Sequence, residues 1–198
     1  MAGSAESSLL VTHDPGAFAT LNRAKGSSVQ DALAAGYKLG FTGGTDNHCG
    51  RPALCFAWQE MNRGRLPLHC QSLTGVWTDR IERRSVWKAL YDRHTWAAWD
   101  TRALVHFEVN GAAAGDDVTV QQGKPLQARV KISAEDSLQS LEVVSEKAVC
   151  WSGSVDALDC DLKIDLAPAT RTTHFFLRGL LRNGGILYAS PVFFTVRK

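Results

Sequence analysis

The sequence predicts an α+β protein in two parts, an α/β segment over residues 1–102 and an all-β sandwich over residues 103–198. Two observations predict this division. In the first part, a helical pattern leads into a strand pattern and then into a glycine-rich polar loop, which is the order of an α/β unit. In the second part, short runs that alternate apolar and polar residues follow one another with turns between them, which is typical of a sandwich.

The α/β segment begins with a polar stretch broken by proline and glycine, which predicts a loop. A helix is predicted over residues 27–36, because Ser28 can cap it, Asp31 follows three residues later and Gly36 is placed to end it. The patterns that follow predict a strand over 37–44, a strand over 72–78 and a helix over 80–94.

The sandwich is predicted from six alternating runs, which together occupy most of the second part. Two Asn-Gly pairs, at residues 110–111 and 183–184, are typical of tight hairpins. The runs span residues 103–111, 126–134, 138–146, 160–167, 173–185 and 186–196.

The charge and hydropathy of the chain disfavour several classes of protein. The formal net charge is +2, and Arg80, Arg83 and Arg84 are interpreted as a solvated helix face, so no nucleic-acid partner is expected. No apolar run is long enough for a membrane helix, so no membrane partner is expected. The N-terminus lacks a cationic start and an apolar core, which predicts no signal peptide and a cytoplasmic location for the chain as given.

The cysteines favour a reducing compartment. Their number is five, which is odd, and they lack paired spacing, so free thiols are expected. The sequence also allows one disulfide bridge, and Cys150 with Cys160 is the pair expected to form it.

The stretch "GFTGGTDNHCGRP", residues 40–52, carries the clearest chemical pattern. In an extended backbone, residues two apart point the same way, so Asp46 and His48 face one site. A carboxylate oxygen and an imidazole nitrogen suit zinc, manganese or iron. The alternative is that Asp46 caps a turn and His48 is a surface histidine.

Four stretches together resemble one family. They are "ALAAGYKLGFTGGTDNHCGRP", "LTGVWT", "VWKALYDRHTWAAWDTRALVHFEVNGAAAG" and "LYASPVFF". They are similar to the C-terminal part of the polymerase-and-histidinol-phosphatase (PHP) type of metal-dependent hydrolases, in the branch with a β-sandwich tail. The resemblance implies a partial βα-barrel ahead of the sandwich, with Asp46 and His48 as metal ligands at its mouth. It also implies a phosphoesterase that uses a metal-activated water.

The chain departs from that family in its ligand set. It contains no His-x-His pair, and its first part supplies about two βα units where a barrel needs about seven or eight. A catalytic metal normally has three protein ligands, so a further ligand is sought among His13, His69 and His94. His106 and His174 lie in strand patterns and are interpreted as structural or unrelated.

Arg51 is the candidate for holding a substrate. Its guanidinium would suit a small anionic phosphoester beside the metal, so Asp46 and Arg51 are the catalytic candidates; alternatively, Arg51 is a surface residue before a turn. The tryptophan-rich residues 28–99 leave strand edges and apolar surface uncovered, which predicts a homo-oligomer. Two other functions remain open, a binding module that recognises a partner or a carbohydrate, and an inactive fragment of a longer hydrolase.

Overall fold

Two packed β-sheets account for most of the residues described by the computed structural model, which are 29–44, 72–146 and 148–198. Two helices accompany the strands in this part of the chain. In chain order the elements are α1 (Val29–Ala34), β1 (Ser72–Val76), α2 (Arg83–Tyr91), β2 (Thr95–Trp99), β3 (Ala103–Val109), β4 (Ala112–Ala113), β5 (Asp117–Gln121), β6 (Leu126–Ala134), β7 (Leu138–Ser145), β8 (Ala148–Gly153), β9 (Asp159–Leu166), β10 (Thr173–Leu181) and β11 (Ile186–Arg197).

The two sheets differ in size. The larger has the order β1-β2-β11-β10-β7-β8, and β5 pairs with the second half of β11. The smaller has the order β4-β3-β6-β9. All pairings are antiparallel except that of β5 with β11. The described strands therefore form a β-sandwich.

The main core lies between the sheets. Alternate residues of β3 and β6, such as Phe107 and Val130, are buried there because successive side chains of a strand point to opposite faces. The larger sheet contributes Leu141, Leu177 and Phe194 to the same core. This alternation is the pattern that the sequence showed from residue 103 onward.

The outer face of the larger sheet is covered by residues 29–44, here called the strap. Leu33 and Phe41 of the strap pack on an apolar cluster that includes Phe176. The strap is also fixed by hydrogen bonds, since Phe41 N donates to Ser190 Oγ at 2.8 Å and Thr95 Oγ1 donates to Phe41 O at 2.8 Å. The larger sheet is thus buried on both faces in this region.

The sheet topology corrects the predicted fold class and family. Strands β1 and β2 are joined by helix α2, yet they pair antiparallel, with Ser72 opposite Trp99 and Val76 opposite Thr95. A βα-barrel requires parallel neighbours. The α+β fold with a partial βα-barrel is therefore wrong, and so is the assignment to the PHP family that implied it. The domain boundary at residues 102 and 103 stays a prediction, and strands from both sides of it, β2 and β11, share one sheet.

The structure also tests the strand predicted over residues 37–44 and the disulfide bridge considered for Cys150 and Cys160. Residues 37–44 were predicted to form a strand, but they cross the sheet as irregular chain. Cys150 and Cys160 are both free thiols, so the bridge that the sequence left open is not formed. No helix among the described residues is long and apolar enough to cross a membrane.

Candidate functional site

Most of the residues predicted from the sequence to bind a metal or a substrate lie outside the described residues. These are His13, Asp46, His48, Arg51 and His69. Their roles as metal ligands or substrate contacts stay predictions, as does the identity of the metal as zinc, manganese or iron.

The remaining candidate ligand, His94, pairs with a carboxylate. Its Nε2 lies 3.0 Å from Asp116 Oδ1, and both side chains are about one-third exposed. The next side chain, Thr95, instead contacts the strap at Phe41. Within residues 29–44, 72–146 and 148–198, no three His, Cys, Asp or Glu side chains come together to hold a metal. The prediction of a metal-binding hydrolase of the PHP type is therefore wrong for this part of the chain. Of the features that were predicted with it, only the β-sandwich is present here.

The strap ends at a fixed point just before the predicted ligands. Gly43 N donates to Thr74 Oγ1 at 3.0 Å, and Thr74 Oγ1 donates to Gly43 O at 2.8 Å. A Cβ at Gly43 would lie 2.3 Å from Ser72 Oγ and 2.4 Å from Leu73 O. The close backbone approach that this glycine permits is therefore to strand β1.

A pocket of about 360 Å³ lies between the strap and one end of β10 and β11. We call it the strap pocket. Its volume is within the usual range for small-ligand sites, about 300–1,000 Å³. The residues that line it come from the strap, from β5, β10 and β11, and from the loops that precede β8 and β10; they are Leu33, Ala34, Gly36, Tyr37, Lys38, Asp117, Glu146, Arg171, Thr172, Thr173, His174, Phe193, Phe194 and Thr195.

The rings of His174 on β10 and Phe193 on β11 both lie against the pocket. The two residues are register partners on adjacent strands. Their ring centroids are 6.3 Å apart, and His174 also stacks on Phe176 at 6.5 Å. His174 is only 5% exposed, and its ring makes no hydrogen bond to any described residue. Burial lowers the pKa of His174 below its ordinary value, while the charge of Glu146 acts in the opposite direction. The imidazole is therefore neutral at pH 7.

Ion pairs form the charged walls of the pocket. Lys38 of the strap pairs with Asp117 at the start of β5, and Arg171 pairs with Glu146. The two cations and two carboxylates cancel in formal charge while His174 is neutral. The pocket thus offers donors and acceptors without a net charge.

Sequence reasoning missed this site. Lys38 and Asp117 are 79 residues apart in the chain, so no local spacing indicates their contact. His174 follows Thr173 in an alternating strand run, where its neighbours give no sign that its ring faces a cavity. Gly36, which was predicted to end the first helix, was the one local indication of the pocket. Its φ of +90° ends α1 and turns the chain towards the part of the strap that lines the pocket.

Comparisons with known proteins yield structural similarity but no family match. No protein-family model matches the chain, and no curated protein matches it. A solved structure described as "Structures of Clostridium thermocellum CbhA fibronectin(III)-like modules" is similar, with 16% sequence identity and a TM-score of 0.35. The alignment covers 46% of this chain and 98% of that one. A TM-score this low supports no functional argument.

Proposed function

We propose that the chain is a non-catalytic binding module and that its strap pocket holds a small, neutral polyhydroxy ligand such as a sugar ring. The observation that carries this proposal is the balanced chemistry of the pocket. Its four charges cancel, and a buried neutral imidazole with no hydrogen-bond partner among the described residues lies against the cavity.

The lining favours hydroxyl groups over a charged group. Lys38 and Arg171 already face carboxylates, so an anionic ligand would have to displace Asp117 or Glu146. A hydroxyl both donates and accepts, and it can therefore bridge an ammonium, a carboxylate and an imidazole nitrogen without separating the ion pairs.

The apolar part of the pocket suits the carbon-bound hydrogens of a sugar ring. Leu33 closes one side and the Phe193 ring lies on another. Pockets for small ligands combine such apolar surface with a few polar groups that orient the ligand. The phosphoester substrate expected from Arg51 stays a separate prediction, because Arg51 is not among the described residues.

Isothermal titration calorimetry with neutral mono- and disaccharides, and with their phosphates, tests the proposal. We expect neutral sugars to bind, and His174→Phe to weaken binding by about three- to tenfold because it removes the nitrogen and keeps a ring. The matched control is His106→Phe, on the smaller sheet, which should bind as the wild type does. Binding of sugar phosphates alone, or no binding of any neutral sugar at millimolar concentration, would refute the proposal.

A further inference from the structure

Helix α2 exposes two large aromatic side chains side by side. Trp87 is 68% exposed and Tyr91 is 75% exposed. They are four residues apart, so they are neighbours on one helix face. Ile81, which precedes the helix, is 98% exposed, and Leu90 is exposed beside Trp87. Contiguous apolar side chains on a surface mark interaction sites.

Two arginines that pair with no other described residue border this face. Arg83 and Arg84 lie four and three residues before Trp87, which places them beside it on the helix surface. Neither makes an ion pair or hydrogen bond to another described residue. Lys88, by contrast, pairs with Asp92 at the end of the helix.

We propose that this face, made of Arg83, Arg84, Trp87, Leu90 and Tyr91, docks an acidic segment of a partner protein. An apolar side chain of the partner packs on Trp87 and Tyr91, and carboxylates beside it pair with Arg83 and Arg84. Tryptophan, tyrosine and arginine are the residues that contribute most to binding at protein interfaces. Complementary charge fixes the register and speeds the encounter.

The charges argue against two other occupants. A second copy related by a two-fold axis would bring Arg83 and Arg84 close to their own equivalents, which costs free energy. An anionic membrane surface would also meet Asp79 and Glu82, which precede the helix. A narrow acidic segment avoids both repulsions. The homo-oligomer expected from residues 28–99 stays a prediction, but this face does not favour it.

A displayed library of random peptides, about twelve residues each or roughly three helical turns, tests the proposal against the full chain. We expect the selected peptides to carry Asp or Glu beside an aromatic or aliphatic residue. Fluorescence anisotropy of such a peptide should show affinity falling about tenfold or more in Trp87→Ser and in the double variant Arg83→Glu/Arg84→Glu. The control Lys124→Glu/Lys163→Glu makes the same change in net charge elsewhere and should leave the affinity unchanged.

Several results would overturn the proposal. One is selection of peptides without acidic residues, or of peptides whose binding is insensitive to the Arg83 and Arg84 changes. Another is self-association in light scattering that Trp87→Ser abolishes, which would make a second copy the occupant. A third is binding to phosphatidylserine-containing vesicles that the same variant abolishes. Circular dichroism of each variant verifies that the fold is kept.

Discussion

Replacing Arg178 should strongly destabilise the protein, because its side chain is buried in an ion pair. Arg178 lies opposite Glu142 in the β10–β7 register, and its Nε and Nη2 are both 2.5 Å from Glu142 Oε2. The two side chains are 1% and 7% exposed. They lie on the outer face of the larger sheet, the face that the strap covers.

The expected loss in the free energy of unfolding is estimated from the cost of removing one member of a buried ion pair. Arg178→Met removes the guanidinium that pairs with the buried Glu142 carboxylate, and removal of one partner of a buried pair costs about 3–5 kcal/mol. For a chain of this size each kcal/mol lowers Tm by about 2–4 °C, so Tm should fall by roughly 6–20 °C. The double variant Arg178→Met/Glu142→Leu replaces both charges with apolar groups and should recover most of that loss.

Urea unfolding, followed by tryptophan fluorescence and by circular dichroism, measures these free energies of unfolding. The four proteins needed are the wild type, each single variant and the double variant. A loss of less than about 1 kcal/mol in the free energy of unfolding of Arg178→Met would refute the reasoning, because a loss that small is expected of a solvent-exposed ion pair. A double variant as unstable as the single one would show that altered packing, and not the broken ion pair, causes the loss.

Three further predictions concern packing, pH and metal. Gly75→Ala should lower stability by about 1–3 kcal/mol in urea unfolding, because the new Cβ would lie 1.9 Å from the Trp96 indole. Since burial lowers the folded-state pKa of His174, the unfolded chain binds its proton first as pH falls; the wild type should therefore lose stability relative to His174→Phe as pH falls through about 6.5 towards the folded-state pKa. Near-stoichiometric zinc, manganese or iron should copurify with the protein, and Asp46→Ala or His48→Ala should remove it in elemental analysis.

Each of these predictions has a result that contradicts it. Gly44→Ala is the packing control, because a Cβ there meets nothing within 4 Å, and equal losses at Gly44 and Gly75 would remove the steric explanation. A stability difference between wild type and His174→Phe that stays constant from neutral to acidic pH would show that the histidine does not titrate differently on unfolding. Protein purified without added metal and free of all three metals would end the metal prediction for Asp46 and His48.

Local patterns located many elements of the fold. The predicted run over residues 126–134 coincides with β6, and that over 138–146 exceeds β7 by one residue. Asn110 and Gly111 have φ of 51° and 79°, as the predicted tight turn requires. Strands β2, β5 and β8 were missed, because each is a short run whose burial depends on its neighbours in the sheet.

The candidate site could not be predicted in the same way. Lys38, Asp117 and His174 meet only because the strap crosses the larger sheet, and no local pattern indicates that crossing. The motif at Asp46 and His48 was visible in sequence, yet it lies beyond the described residues. Sequence reasoning therefore favoured a site whose chemistry is local and missed one whose parts are far apart in the chain.

Side-chain periodicity and φ preferences act over a few residues, so local sequence is enough to place the alternating strands and the turns. The folded chain, by contrast, was needed to show that β1 and β2 pair antiparallel, which excludes the barrel that their helix connection suggested. The folded chain also shows that Arg178 and Glu142 are buried, although alternation alone would assign them to solvent. Local patterns miss both features because strand direction and the covering of a second sheet face depend on contacts between residues distant in the chain.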